Sequence, residues 1–170
     1  NKDRCKFFQQ YVLYLGYVVS EHGIQTDPEK ITAIKNYPRP KDQTAVRSFL
    51  GLASYYRRFI EKFSEIAKPL YRLTSQKEEF NWNQEQEGAF NTLKDRLCSA
   101  PILSFPDMDK PFEIRTDASR NGIAGILLQK HGDTSKVIAY TNRLLSDPEK
   151  NYSATELECL AVVHSLKSFR

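Results

Sequence analysis

Residues 112–129 read FEIRTDASRNGIAGILLQ. Phe112-Glu113-Ile114-Arg115-Thr116-Asp117 alternates apolar and polar with period two, the pattern of a half-buried strand. A turn containing Gly122 follows, then a second apolar run, Gly122 to Gln129. Lys136 to Tyr140 makes a third strand. The last stretch, from about Thr155 to the chain end, switches to helical spacing, with Leu157, Leu160, Ala161, Val163 and Leu166 as its stripe. Thr155 can cap this helix and Glu158 can close a capping box. The C-terminal half therefore predicts three strands and a helix.

Upstream, Pro101, Pro106 and Pro111 mark a rigid connector. Before it, Asn83 caps a helix carrying Ala89, Phe90, Leu93 and Leu97, with Gln86 placed for a capping box. A polar stretch from Thr74 to Glu79 is a candidate boundary. Ser64 caps a short helix with Ile66, Leu70 and Leu73. Asp42 caps a longer one whose stripe is Val46, Phe49, Leu50, Ala53, Tyr56 and Ile60. Asp27 and Pro28 start a further short helix, which ends before Pro38 and Pro40. Residues 7–19, FFQQYVLYLGYVV, read as a strand pair or one long strand, and Glu21-His22-Gly23 as a turn.

The 170 residues are 40% hydrophobic and 27% charged, which excludes a mainly disordered or collagen-like chain. No apolar run approaches the roughly 18 to 20 residues that span a bilayer, and the charged N-terminus lacks a signal-like stretch. Cys5, Cys98 and Cys159 lie far apart, and His22, His131 and His164 sit near none of them at ligand spacing. Zinc and a disulfide framework are therefore not expected, and a reducing, intracellular compartment fits. Met108 is the only methionine, so residue 1 is not expected to be a translation start. The net charge of +4 is uneven: residues 1–80 hold 14 Lys and Arg against 9 Asp and Glu, and residues 81–170 hold 11 against 12. Between Arg39 and Lys77 nine basic residues face three acidic ones. That excess, on an aromatic-rich segment, suits either a polyanion partner or a solvated helix face.

Asp117, at a strand end before a Gly-containing turn, suits a metal ligand; it suits a turn former better on local residues alone. Glu156 and Glu158 open the last helix, where the dipole favours acids in any case. The helix stripe must pack on the sheet carrying Asp117, so Glu158 could meet Asp117 across that junction. Converging carboxylates can hold Mg²⁺, and a pair of ions can clamp a phosphate for attack by water.

FLGLASYYRRF (49–59) resembles the thumb of reverse transcriptases from long-terminal-repeat retroelements of the Ty3/gypsy type. YLGYVVSEHGIQTDPEKITAI (14–34) resembles the palm end, primer-gripping hairpin and thumb entry. FNWNQEQEGAFNTLKDRLCSAPILSFPD (80–107) resembles the lead-in to a ribonuclease H-like domain. FEIRTDASRNGIAGILLQ and EKNYSATELECLAVVHSLKSF (149–169) resemble its first strands and helix. The resemblance implies an α+β chain: a palm end with its hairpin over 1–26, a helical thumb-like region over 27–79, and the first part of a ribonuclease H-like domain over 80–170. It implies Asp117 and Glu158 as catalytic, metal-binding carboxylates, with Glu156 the alternative, and Mg²⁺ or Mn²⁺ as cofactor. It implies Leu15, Gly16 and Tyr17 in the primer grip. Arg47, Arg57, Arg58, Lys62, Lys68 and Arg72 become phosphate contacts, and Tyr55 (with Tyr56, unless core) a contact to sugar or backbone. The implied partners are RNA–DNA hybrid or duplex and the rest of a Pol polyprotein, in cytoplasm, virus-like particle or nucleus. The family's Tyr-x-Asp-Asp turn and its third carboxylate, in a Thr-Asp-His context, do not occur in these residues, so neither polymerisation nor robust cleavage is expected of this chain alone. Two other readings are a noncatalytic, connection-like module that binds nucleic acid, and a host protein derived from a decayed element.

Overall fold

The computed structural model describes residues 7–75 and 79–170. It is an α+β fold with two three-stranded antiparallel sheets, in the orders β1-β2-β3 and β4-β5-β6, and five α-helices among the described residues. β1 (Tyr11–Tyr14) and β2 (Tyr17–Ser20) form a hairpin. Its two turn residues, Leu15 and Gly16, both take positive φ (47° and 70°), the backbone that suits the twist of a two-residue hairpin. A third strand, β3 (Gly23–Thr26), begins where only a turn was expected. It forms because the connector after residue 99 supplies a second partner: the amides of Ile24 and Leu103 each donate to the other's carbonyl, at 2.8 and 2.9 Å.

Local capping decides most helix starts. Asp27 accepts from Glu29 N at the head of α1 (Pro28–Lys35), and Asp42 from Ala45 N at the head of α2 (Gln43–Ser54). Asn83 and Gln86 form the expected capping box on α4 (Gln84–Cys98). The expected stripe of α2 is buried throughout, although the helix stops at Ser54 and a 3-10 turn (Arg57–Phe59) carries the stripe onward to Ile60. Phe49, Tyr56, Phe59, Phe63, Leu70, Leu93 and Leu97 then share one core, so α4, which follows the polar stretch at 74–79, packs in the same core as α2 and α3. Residues 76–78 of that stretch lie outside the described residues. Truncating Phe49, fully buried between Tyr37 and Phe90, would cost about 3–5 kcal/mol.

Two expected caps are corrected. Ser64 does not cap α3 (Phe63–Arg72); it lies buried inside the first turn, and Lys62 occupies the N-cap with φ 55° and no side-chain capping bond. Ser153, not Thr155, caps α5 (Ala154–Ser168), and Glu156, not Glu158, closes the box. The stripe of α5 also differs. Leu157, Ala161 and Ser165 are buried at steps of four, while Val163 and Leu166 are about half exposed. Ser165 is admitted because it faces Gly125, whose missing side chain leaves room for it.

β4 (Phe112–Ala118), β5 (Gly122–His131) and β6 (Thr134–Leu144) are longer than their sequence patterns. The row Ala118, Ile123 and Arg143 faces α5, where Ile123 joins Leu157 and Ala161 in a second core. The neighbouring row Asp117, Ala124 and Asn142 faces the opposite way, onto the start of α3, because successive strand residues alternate in direction.

Candidate functional site

The primer-grip candidates and the end of α2 form one aromatic block. The Tyr55 hydroxyl donates to Leu15 O and the Tyr56 hydroxyl to Gly16 O at 2.7 Å. Tyr17 stacks on Tyr55 (5.3 Å between centroids) and on Phe59 (5.9 Å), and its hydroxyl donates to Tyr55 O. Lys30 lies 4.9 Å over the Tyr55 ring. Tyr56 is core: it is fully buried, and that burial pushes its phenol up to about 12. The structure thus brings Leu15, Gly16, Tyr17 and Tyr55 together, and exposes Tyr11, Leu13, Tyr14 and Leu15 beyond them.

The basic residues behave differently. Arg47 donates to Thr74 O at 2.8 Å. Arg57 donates to Asn142 O at 2.5 Å and to Ser64 Oγ at 3.3 Å. Lys62 pairs with Asp117 at 2.5 Å, Lys68 donates to Asn121 Oδ1, and Arg72 lies 3.6 Å from Glu85. Arg58, at the rim of a cleft of about 720 Å³ that Tyr140, Leu166 and Arg170 also line, has no hydrogen bond or ion pair among the described residues. Sequence reasoning missed Asn142. It is 4% exposed, and its Oδ1 accepts from both Ser64 N (2.8 Å) and Ser64 Oγ (2.7 Å). Its signal was an amide two residues after Tyr140, in phase with the inward face of a strand whose predicted end fell short of it.

The three acidic candidates have different partners. Asp117 is on the α3 face of the sheet, about half exposed and bound to Lys62. That hydrogen bond, opposed by slight desolvation, holds Lys62 above its ordinary value. Helix α5 covers the other face. There Glu156 accepts from Ser153 N (2.8 Å) and Ser153 Oγ (2.7 Å), bonds that hold it below the ordinary range. Glu158 is exposed and lines a cleft of about 550 Å³ with Ala118, Ser119, Arg120 and Lys150. Among the described residues no group of three or more His, Cys, Asp or Glu is placed to hold a metal ion. Asp117 is already paired with Lys62, and Glu156 is taken up by the Ser153 cap.

A three-stranded antiparallel sheet with a helix across one face, joined to a helical lobe with an aromatic hairpin, defines the class. Residues 82–170, just over half of the chain, match the model of the RNase H-like domain found in reverse transcriptase, and the chain belongs to that family. Across 98% of its length it is 41% identical to the Retrovirus-related Pol polyprotein from transposon gypsy of Drosophila melanogaster, of which it spans 17%. It is 34% identical to the Transposon Tf2-3 polyprotein of Schizosaccharomyces pombe, of which it spans 13%. Among solved structures, the foamy viral protease-reverse transcriptase dRH in complex with double-stranded DNA superposes with a TM-score of 0.82 at 26% identity, covering 94% of this chain and 28% of that one. The same viral enzyme in complex with an RNA/DNA hybrid superposes with a TM-score of 0.82 at 24% identity, covering 98% of this chain and 23% of that one. No helix of the described residues is long and apolar enough to cross a membrane.

Proposed function

We propose that this chain is a duplex-gripping part of a retroelement reverse transcriptase, working with the rest of a Pol polyprotein that copies RNA into DNA and cleaves the RNA of the hybrid. In this reading residues 1–26 end the palm, 27–79 form the thumb and 80–170 begin the ribonuclease H-like domain, inside the cell. The observation that carries it is the aromatic hairpin block, exposed at Tyr11, Tyr14 and Leu15, on a fold that superposes on an enzyme holding double-stranded DNA. The exposed rings offer sugar and base faces a sequence-tolerant surface, Lys30 supplies positive charge over Tyr55, and Arg58 lies within electrostatic reach of Tyr17.

The family's hydrolytic chemistry uses a divalent ion, Mg²⁺ or Mn²⁺. Asp117 and Glu158 would be the residues of this chain that hold it, and the noncatalytic, connection-like module stays the second reading because Asp117 is paired with Lys62. Titrating a short RNA–DNA hybrid at several salt concentrations tests the binding. Each phosphate contact contributes about 0.9 to the slope of log affinity against log salt, so Arg58→Ala should flatten the slope by about that amount. Equal slopes, or no binding at low salt, would reject the role given to Arg58 or the binding itself.

A further inference from the structure

Asp117 is at the end of β4, on the face of the sheet that docks against α3. Its partner Lys62 comes from the helical lobe, where it takes the N-cap of α3 in a left-handed conformation that non-glycine residues rarely adopt. The Lys62 ammonium sits 2.5 Å from Asp117 Oδ2, and Glu61 and Glu65 also act on it. One cation therefore offsets acidic charge from both lobes. The rest of the seam is polar and closed. Asn142 binds Ser64 and Arg57, Ser119 donates to Glu65 Oε1 at 3.1 Å, and Lys68 donates to Asn121.

We propose that Lys62 is the resident counter-ion of Asp117, so that the pair docks the sheet on the helical lobe and keeps a divalent cation off Asp117 while the lobes are closed. The inference goes beyond the duplex-binding reading and does not depend on it. A divalent ion approaching Asp117 meets a positive charge already at ion-pair distance. Lys62 is a positioning residue; it touches no reacting group.

The 170-residue chain and its variants are titrated with Mn²⁺ alone, free ion being read by electron paramagnetic resonance. Asp117→Asn should leave the Mn²⁺ uptake of the parent chain unchanged. Lys62→Gln should tighten uptake at least about threefold, since a unit charge is removed at close range. Lys62→Gln combined with Asp117→Asn should return it to the starting level. Lys62→Arg, which keeps the charge, should behave as the parent. Lys62→Gly suits the left-handed backbone and serves if Lys62→Gln fails to fold, as read by circular dichroism. In urea unfolding the two single variants should be non-additive, with a coupling of about two- to fivefold in the folding equilibrium, the range of exposed pairs. Uptake lost on Asp117→Asn, uptake unchanged on removing the Lys62 charge, or additive stability effects would each overturn the proposal. Failure of hybrid binding would leave these outcomes as they are, because Mn²⁺ is the only probe.

Discussion

The guanidinium of Arg57 donates across the seam to Asn142 O, while that of its neighbour Arg58 points to an open cleft. Sequence gives the two the same chemistry, and only their partners in space separate them. Arg57→Ala should therefore destabilise the fold more than it weakens duplex binding, the reverse of Arg58→Ala. Asn142 is the more sensitive position. Asn142→Ala removes an acceptor from Ser64 N and Ser64 Oγ in a buried site, and should lower stability by about 1–3 kcal/mol in urea unfolding. A loss within a few tenths of a kcal/mol would show that water replaces the amide without cost. Glu149 contributes to the pH dependence. Two hydrogen bonds from Arg143 (2.7 and 2.8 Å) and one from Ser146 N hold its carboxyl down from 4.5 to about 2. A depressed acid stabilises the folded state above its ordinary value and loses that contribution as pH falls towards the folded one. Stability should therefore fall between about pH 4.5 and 2, and Glu149→Gln should flatten that part of the profile. An unaltered profile would assign the acid loss to other carboxylates.

At the scale of elements, what could be read in advance was what is local. Asp27, Asp42 and Asn83 cap their helices from one residue away, and their signals lie within four residues of sequence. The start of α3 has no such signal. Its first turn is satisfied by Asn142, 78 residues distant, so the local sequence offers Ser64 as a cap where β6 supplies the acceptor. The same reason hid β3, whose outer partner is Leu103. The buried stripe of α5 departs from the apolar period because Ser165 sits against Gly125, a fact of packing rather than period. Of the candidate site, the aromatic strand pair was legible in its residues, while its packing against Tyr55, 40 residues on, was not. The fates of Arg57, Lys62 and Asp117 were not, since each depends on how the sheet meets the helices.

At the scale of the whole molecule, the connector ties the two sheets together, alongside the seam at α3. Leu103 exchanges two backbone bonds with Ile24 in the hairpin sheet, and Ser104 N donates to Val137 O in the other sheet at 2.8 Å. Gly23 permits the first of these. With φ 130°, it lies so close to Leu103 that an added Cβ would come within 2.2 Å of the carbonyl oxygen. Gly23→Ala should push the connector out and destabilise the fold by at least about 1–3 kcal/mol, read as a lowered urea midpoint. A midpoint shifted by less than the error would mean that β3 yields instead.

Two peptide units in succession thus span the gap between sheets that are otherwise far apart in the chain. Such a bridge sets the kinetics of opening as well as its cost. The amide protons of Ile24, Leu103 and Ser104 are released to solvent by one event, so deuterium should enter all three at a common rate under conditions where the rim of the hairpin exchanges far sooner.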